Sequence, residues 1–128
     1  MYTCQKADEY IEKNRVDRAD KPEFHLTTPV GWLNDPNGFS IYGGKAHLFY
    51  QFHPYSTEWG PMHWGHSTSD DFIRWEELPT ALAPDSDYDA FGCFSGTAIE
   101  NDGKHVLFYT GVVEEKMADG TKNVIQNQ

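Results

Sequence analysis

Cysteine is nearly missing: Cys4 and Cys93 are the only two in 128 residues. A disulfide framework needs more of them and a paired-cysteine zinc site needs them close together, so both are read as reduced thiols. Basic side chains are also scarce, ten against twenty acidic ones, for a formal net charge of -10. That sign repels phosphate backbones and anionic headgroups, which sets aside nucleic acid and membrane surfaces as partners. No stretch approaches the roughly 18 apolar residues of a membrane span. Met1 to Tyr10 also lacks the basic start and apolar run of a secretory signal, and a soluble, cytoplasmic protein is the expectation. No glycine-rich loop leading into a helix is present to cradle phosphate. His63 and His66, three apart on a strand, would point to opposite faces and share no ion, so neither metal nor cofactor is expected.

What is abundant is aromatic. Trp, Tyr and Phe make up 15% of the chain, against 38% for all hydrophobic residues, so large rings supply much of the core. Residues 1–21 read as a charged segment: a short helix with Ala7, Tyr10, Ile11 and Val16 as its apolar spacing, then a linker. Its charges read as a solvated face. After Pro22 the pattern changes to short aromatic and β-branched runs punctuated by Gly, Pro and Asn, the pattern of an all-β protein. Residues 22–128 form the second unit.

Phe39–Tyr42 and Ala46–Phe52 flank Gly43-Gly44, which accepts the positive φ of a tight hairpin. Met62–Ser69 and Phe72–Glu77 would complete a four-stranded sheet, with Trp64, His66 and Thr68 on one face of the third strand and His63, Gly65 and Ser67 on the other. Ser95–Glu100 and His105–Gly111, joined by Asn101-Asp102-Gly103, begin a second sheet, and Asn123–Gln128 reads as a further strand. The hairpins resemble each other: Ala-His-Leu-Phe-Tyr at 46–50 matches His-Val-Leu-Phe-Tyr at 105–109. Repeated four-stranded units suggest a β-propeller, although a β-sandwich fits the composition almost as well. Two blades close no ring, so the chain reads as part of a larger array, with strand edges open to self-association.

Chemistry concentrates around Trp32-Leu33-Asn34-Asp35-Pro36-Asn37-Gly38. By itself Asp-Pro-Asn-Gly reads as a turn. Its company changes that reading: Trp32, Asn34, Gln51, Trp59 and Trp64 offer flat apolar faces and amides beside a carboxylate, the combination that holds sugars. Asp70, Asp71, Asp85, Asp87 and Asp89 read instead as solvated loop acids. Cys93 reads as a buried, inert thiol.

Four blocks in order, Trp-Leu-Asn-Asp-Pro-Asn-Gly (32–38), Tyr-Gln-Phe-His-Pro (50–54), Trp-Gly-His-Ser-Thr-Ser (64–69) and Phe-Ser-Gly-Thr-Ala (94–98), make the chain resemble glycoside hydrolase family 32. The resemblance covers about Pro22 to Thr110, and the charged N-terminal helix is similar to that of bacterial sucrose-6-phosphate hydrolases. It implies a five-bladed β-propeller, here only about its first two blades preceded by the short helix, with an axial pocket for terminal β-D-fructofuranosides such as sucrose, sucrose 6-phosphate or a fructan. It also implies Asp35 as the nucleophile, Asn34, Gln51 and Ser95 as hydroxyl contacts, and Trp59 and Phe94 as pocket wall. Two departures stand out. The family's stabilising Asp follows an Arg and its acid/base Glu precedes a Cys, whereas Arg is followed here by Val, Ala or Trp and no Glu precedes a Cys. The chain alone is therefore expected to be inactive, and a non-catalytic carbohydrate-binding or assembly module is the alternative reading.

Overall fold

The computed structural model describes residues 1–17, 19 and 21–128, so part of the expected linker, Arg18 and Asp20, lies outside the described residues. Helix α1 spans Cys4–Asn14. Thr3 caps it in an extended conformation, its Oγ1 accepting from the Lys6 amide at 3.2 Å. Ala7 and Ile11, one turn apart, are its buried residues, while Val16 lies beyond the helix and is exposed. Seven strands follow: β1 Trp32–Tyr42, β2 Lys45–His53, β3 His63–Ser69, β4 Glu76–Leu82, β5 Gly92–Asn101, β6 Lys104–Lys116 and β7 Lys122–Asn127. They form two antiparallel sheets, β1-β2-β3-β4 and β5-β6-β7. No helix is long and apolar enough to cross a membrane among the described residues.

Both two-residue hairpins have the twist-matched turn the sequence calls for. Gly43 and Gly44 have φ of 58° and 80°, and Asp102 and Gly103 have 49° and 71°. Two expectations are corrected. Asp-Pro-Asn-Gly is not a turn ahead of the first strand but lies inside β1, where the register slips between Leu33 and Pro36 and again between Asn37 and Ser40. Turn-forming residues here make bulges, which kink a strand without ending it. The fourth strand does not run Phe72–Glu77, because side chains capture that backbone first. Ser69 Oγ accepts from the Phe72 amide at 2.8 Å, and Asp71 Oδ1 accepts from the Ile73 and Arg74 amides at 2.9 and 2.7 Å. Phe72 is held at φ 63°, and pairing resumes at Glu76. Pro79 is tolerated because β4 is an edge strand. Its Thr80 amide is taken by Asp8 Oδ1 of α1 at 2.9 Å, so the helix covers that edge.

Strand β2 faces two cores in alternation. Phe49 packs with Trp64, Cys93, Ala98, Leu107 and Tyr109 between the sheets. Tyr50 and Phe52 point the other way, onto Ile11, Val30 and Leu26. Gly65 makes room for Tyr50, since a Cβ there would sit 2.1 Å from the ring.

Candidate active site

The bulged start of β1 meets the start of β5 at one end of the seam between the sheets. Ser95 Oγ donates to Asp35 Oδ2 at 3.2 Å, joining residues sixty apart in sequence. Two residues on, Asn37 Oδ1 accepts from the Gly96 amide at 3.4 Å, a second tie across the same seam. Gly38 keeps β1 close, because a Cβ there would lie 2.8 Å from the Phe49 ring and 3.2 Å from Ala98 Cβ. Asp35 and Ser95 are both exposed, so the carboxylate lies on an open face rather than at the floor of an enclosed cavity. Asn34 is half-buried, and its Oδ1 accepts from Trp32 Nε1 at 2.9 Å.

Gln51 is buried behind this face, 3% exposed, and its Nε2 donates to the Cys93 carbonyl at 2.9 Å. One amide hydrogen thus serves to join β2 to β5. Trp59, half exposed, stands edge-on to Phe94, with ring centres 6.2 Å apart and planes at 89°. Phe91 completes the wall, 5.9 Å from Trp59 and 6.3 Å from Phe94. Phe91 escaped sequence reasoning, although its spacing of three from Phe94 in Phe-Gly-Cys-Phe was the available signal. Trp64 is corrected: it is fully buried, so no sugar can stack on it, and its Nε1 donates to the Phe94 carbonyl at 3.2 Å. Its contribution is to fix the backbone behind the wall.

Asp89 is a second correction, since it is no solvated loop acid but 1% exposed. Its Oδ2 accepts from the Tyr109 hydroxyl at 2.8 Å and from the Cys93 thiol at 3.7 Å. Burial and then this carboxylate push the Cys93 thiol well above its ordinary range, so it is an inert proton donor rather than a nucleophile. His63 and His66 do face apart. His63 packs edge-on to Tyr2 and Tyr55, while His66 stacks on Phe49 and its Nε2 lies 2.9 Å from His47 Nδ1. Those two rings aim a nitrogen at each other rather than at a common point, and among the described residues no group of acids, His or Cys is placed to hold a metal ion.

Three comparisons bear on this geometry. The family model described as Glycosyl hydrolases family 32 N-terminal domain matches residues 25–128. The chain is 55% identical over 92 residues to a sucrose-6-phosphate hydrolase of Escherichia coli, covering 72% of this chain and 19% of that protein. It is 53% identical over 107 residues to a raffinose invertase of the same organism, covering 82% and 22%. Among solved structures, a mutant of the Bombyx mori GH32 beta-fructofuranosidase in complex with sucrose superposes with a TM-score of 0.82 at 46% identity, covering 95% of this chain and 26% of that one. The chain thus spans about a fifth of the curated relatives' length. The family model's span takes in both propeller-type sheets and the seam that carries Asp35, and the chain belongs to glycosyl hydrolase family 32, as part of its N-terminal domain.

Proposed function

We propose that the enzyme to which this chain contributes hydrolyses terminal β-D-fructofuranosides, sucrose or sucrose 6-phosphate, by double displacement with retention. The observation that carries this reading is the Asp35 carboxylate, fixed by the Ser95 hydroxyl at 3.2 Å beside the wall of Trp59, Phe91 and Phe94. Asp35 attacks the anomeric carbon of the fructosyl unit and forms a glycosyl ester. A second, protonated carboxyl group releases the alcohol and then activates the water that cleaves the ester, standing roughly 5 to 5.5 Å from the first. The aromatic wall takes the C–H face of the sugar, Asn34 and Ser95 take its hydroxyls, and Gln51, buried behind them, braces β2 against β5. The names of the relatives, a sucrose-6-phosphate hydrolase and a raffinose invertase, support a sucrose-type fructosyl linkage as substrate.

Neither the acid/base Glu nor the stabilising Asp that the family resemblance implies is matched in these 128 residues, since no Glu precedes a Cys and no Arg precedes an Asp. Alone, the chain lacks the proton transfer that contributes roughly 10² to 10⁴-fold and is inactive. Fructose release from sucrose by the gene's full product tests the reading. Asp35→Asn should lower kcat by about 10⁴-fold while leaving the melting temperature within a few degrees. A rate near that of the parent in this variant would remove Asp35 from the chemistry and favour a site that only binds sugar.

A further inference from the structure

We propose that Asp89 is a positioning residue for this site, a buried carboxylate that sets the aromatic wall against which the fructosyl ring stacks. The proposal rests on the fructosidase reading above. Asp89 lies in the segment between β4 and β5, the segment that brings in Phe91, Phe94 and Ser95. Each of its polar atoms is committed to that segment or to the strand behind it. Oδ1 accepts from the Ser86 amide at 2.9 Å, and Oδ2 accepts from the Tyr109 hydroxyl and the Cys93 thiol. Its amide donates to the Ser86 carbonyl at 3.2 Å, and its carbonyl accepts from the Gly92 amide at 2.7 Å. No salt bridge reaches it among the described residues. A carboxylate taken out of water without a cation is costly, and it is retained here by donors drawn from both ends of one loop and from β6.

The consequences of that knot run straight into the wall. Phe91 donates its amide to the Val112 carbonyl at 2.9 Å, and Cys93 donates its own to Met62 at 2.8 Å. The Phe94 ring lies directly over Gly92, where a Cβ would come within 2.9 Å of it. Gly111 on β6 lets the loop lie flat, since a Cβ there would meet the Tyr88 carbonyl at 2.7 Å and Asp89 Cβ at 3.1 Å. Asn127 Nδ2 holds the same Tyr88 carbonyl at 3.0 Å. Release the Asp89 side chain and the segment from Ser86 to Cys93, which carries Phe91 and leads into Phe94, loses its 2.8 Å tie to Tyr109.

An amide substitutes poorly for this carboxylate. Asp89 accepts hydrogen bonds on both oxygens, whereas asparagine has one acceptor oxygen, so either its NH₂ faces the Ser86 amide or the Tyr109 hydroxyl and Cys93 thiol must turn round to accept from it. Asp89→Asn should therefore displace the wall without changing side-chain volume. Because the wall binds ground state and transition state alike, the effect belongs in KM. In the full-length enzyme acting on sucrose, Asp89→Asn is expected to raise KM about tenfold and Tyr109→Phe about threefold, with kcat within about threefold of the parent. The double variant should be no worse than Asp89→Asn alone, because both changes act on the one hydrogen bond between Asp89 and Tyr109. Amide exchange at Phe91 and Cys93 should quicken in Asp89→Asn relative to the Ala98 and Val106 amides of the neighbouring hairpin. If Asp89→Asn fails to fold, Tyr109→Phe still carries the KM expectation. A lowered melting temperature with KM unchanged in Asp89→Asn or Tyr109→Phe would make the knot a folding device only and overturn the proposal. Failure of the underlying reading looks different: Asp35→Asn would then keep its rate, whatever Asp89→Asn does to KM.

Discussion

The two sheets carry nearly the same five residues at the same place, and the fold treats them differently. In β2 the motif is Ala-His-Leu-Phe-Tyr at 46–50, and in β6 it is His-Val-Leu-Phe-Tyr at 105–109. Phe49 is 2% exposed and its counterpart Phe108 is 57% exposed. In each sheet the tyrosine faces the preceding layer, with Tyr50 toward α1 and Tyr109 toward the first sheet, while the phenylalanine faces the following one. For Phe49 that following layer is the second sheet. For Phe108 no layer follows among the described residues, and the ring stands in water. One repeated unit thus has a layer on each side of its first copy and on one side of its second, the geometry of a stacked repeat in which burial depends on neighbours rather than on local sequence.

The sharpest way to break this comparison is to truncate both rings. Phe49→Ala removes a ring packed on Trp64 at 5.7 Å and stacked on His66 at 4.1 Å, and it should cost about 3 to 5 kcal/mol in urea unfolding. Phe108→Ala, in the chain as it stands here, should cost less than about 1 kcal/mol, because the ring is already in water. Equal losses would mean that the second sheet's outer face is covered in solution.

Which parts of this asymmetry the sequence could reveal follows from how far apart the determinants lie. The glycine pair at 43–44 and the turn at 101–103 act on their own backbone, so both hairpins were legible at their turns, whereas the far ends were not: β1 begins at Trp32 instead of Phe39 and β6 runs on to Lys116 instead of Gly111. The displacement of the fourth strand is a contest between Phe72-Ile73 as strand formers and Asp71 and Ser69 as captors of their amides, which propensity alone does not settle. The burial of Asp89 depends on Tyr109, twenty residues away, and that of Trp64 depends on the second sheet lying over it. For the site, Asp35 and Ser95 became candidates together only through the family resemblance, since nothing local in either segment announces a partner sixty residues off.

Acid should separate the sheets next. His63 and His66, both on β3, titrate near 4 in the fold against an ordinary 6.5, chiefly because burial disfavours the charged ring. Their tyrosine and histidine neighbours offer no compensating charge, and the Pro61 carbonyl and then Asp85, which favour a proton on His63, do not offset its burial. Between those pH values the unfolded chain takes the proton and the folded chain does not. Stability is therefore fully present above pH 6.5 and is lost as the pH falls toward 4. At about 1.4 kcal/mol per unit, the more deeply buried His63 accounts for a loss of about 3 kcal/mol by pH 4. His66 adds less, because solvent reaches it. The second sheet has one histidine, His105, half-buried at the seam and also shifted downward. Urea midpoints at pH 7 and pH 4.5 measure the loss, and His63→Gln should flatten it. Amide exchange should quicken in β3 before β7, and the reverse order would place the acid-sensitive groups elsewhere.

The smallest effect is the one in which the two sheets should agree. Gly44 and Gly103 hold φ of 80° and 71°, and a Cβ at either position would meet nothing within 4 Å. The only penalty for alanine is its own backbone, which resists the left-handed region by roughly 1 to 2 kcal/mol and recovers part of that by restricting the unfolded chain. Gly44→Ala and Gly103→Ala should therefore cost about 1 kcal/mol each, with the two values within about 0.5 kcal/mol of each other. Urea unfolding at pH 7 gives both numbers. Because the cost is local, it must not follow the burial difference that separates Phe49 from Phe108. A Gly103→Ala penalty far below that of Gly44→Ala would mean that the second hairpin is already loose in solution, and that the contrast between the sheets reaches down to the turns themselves.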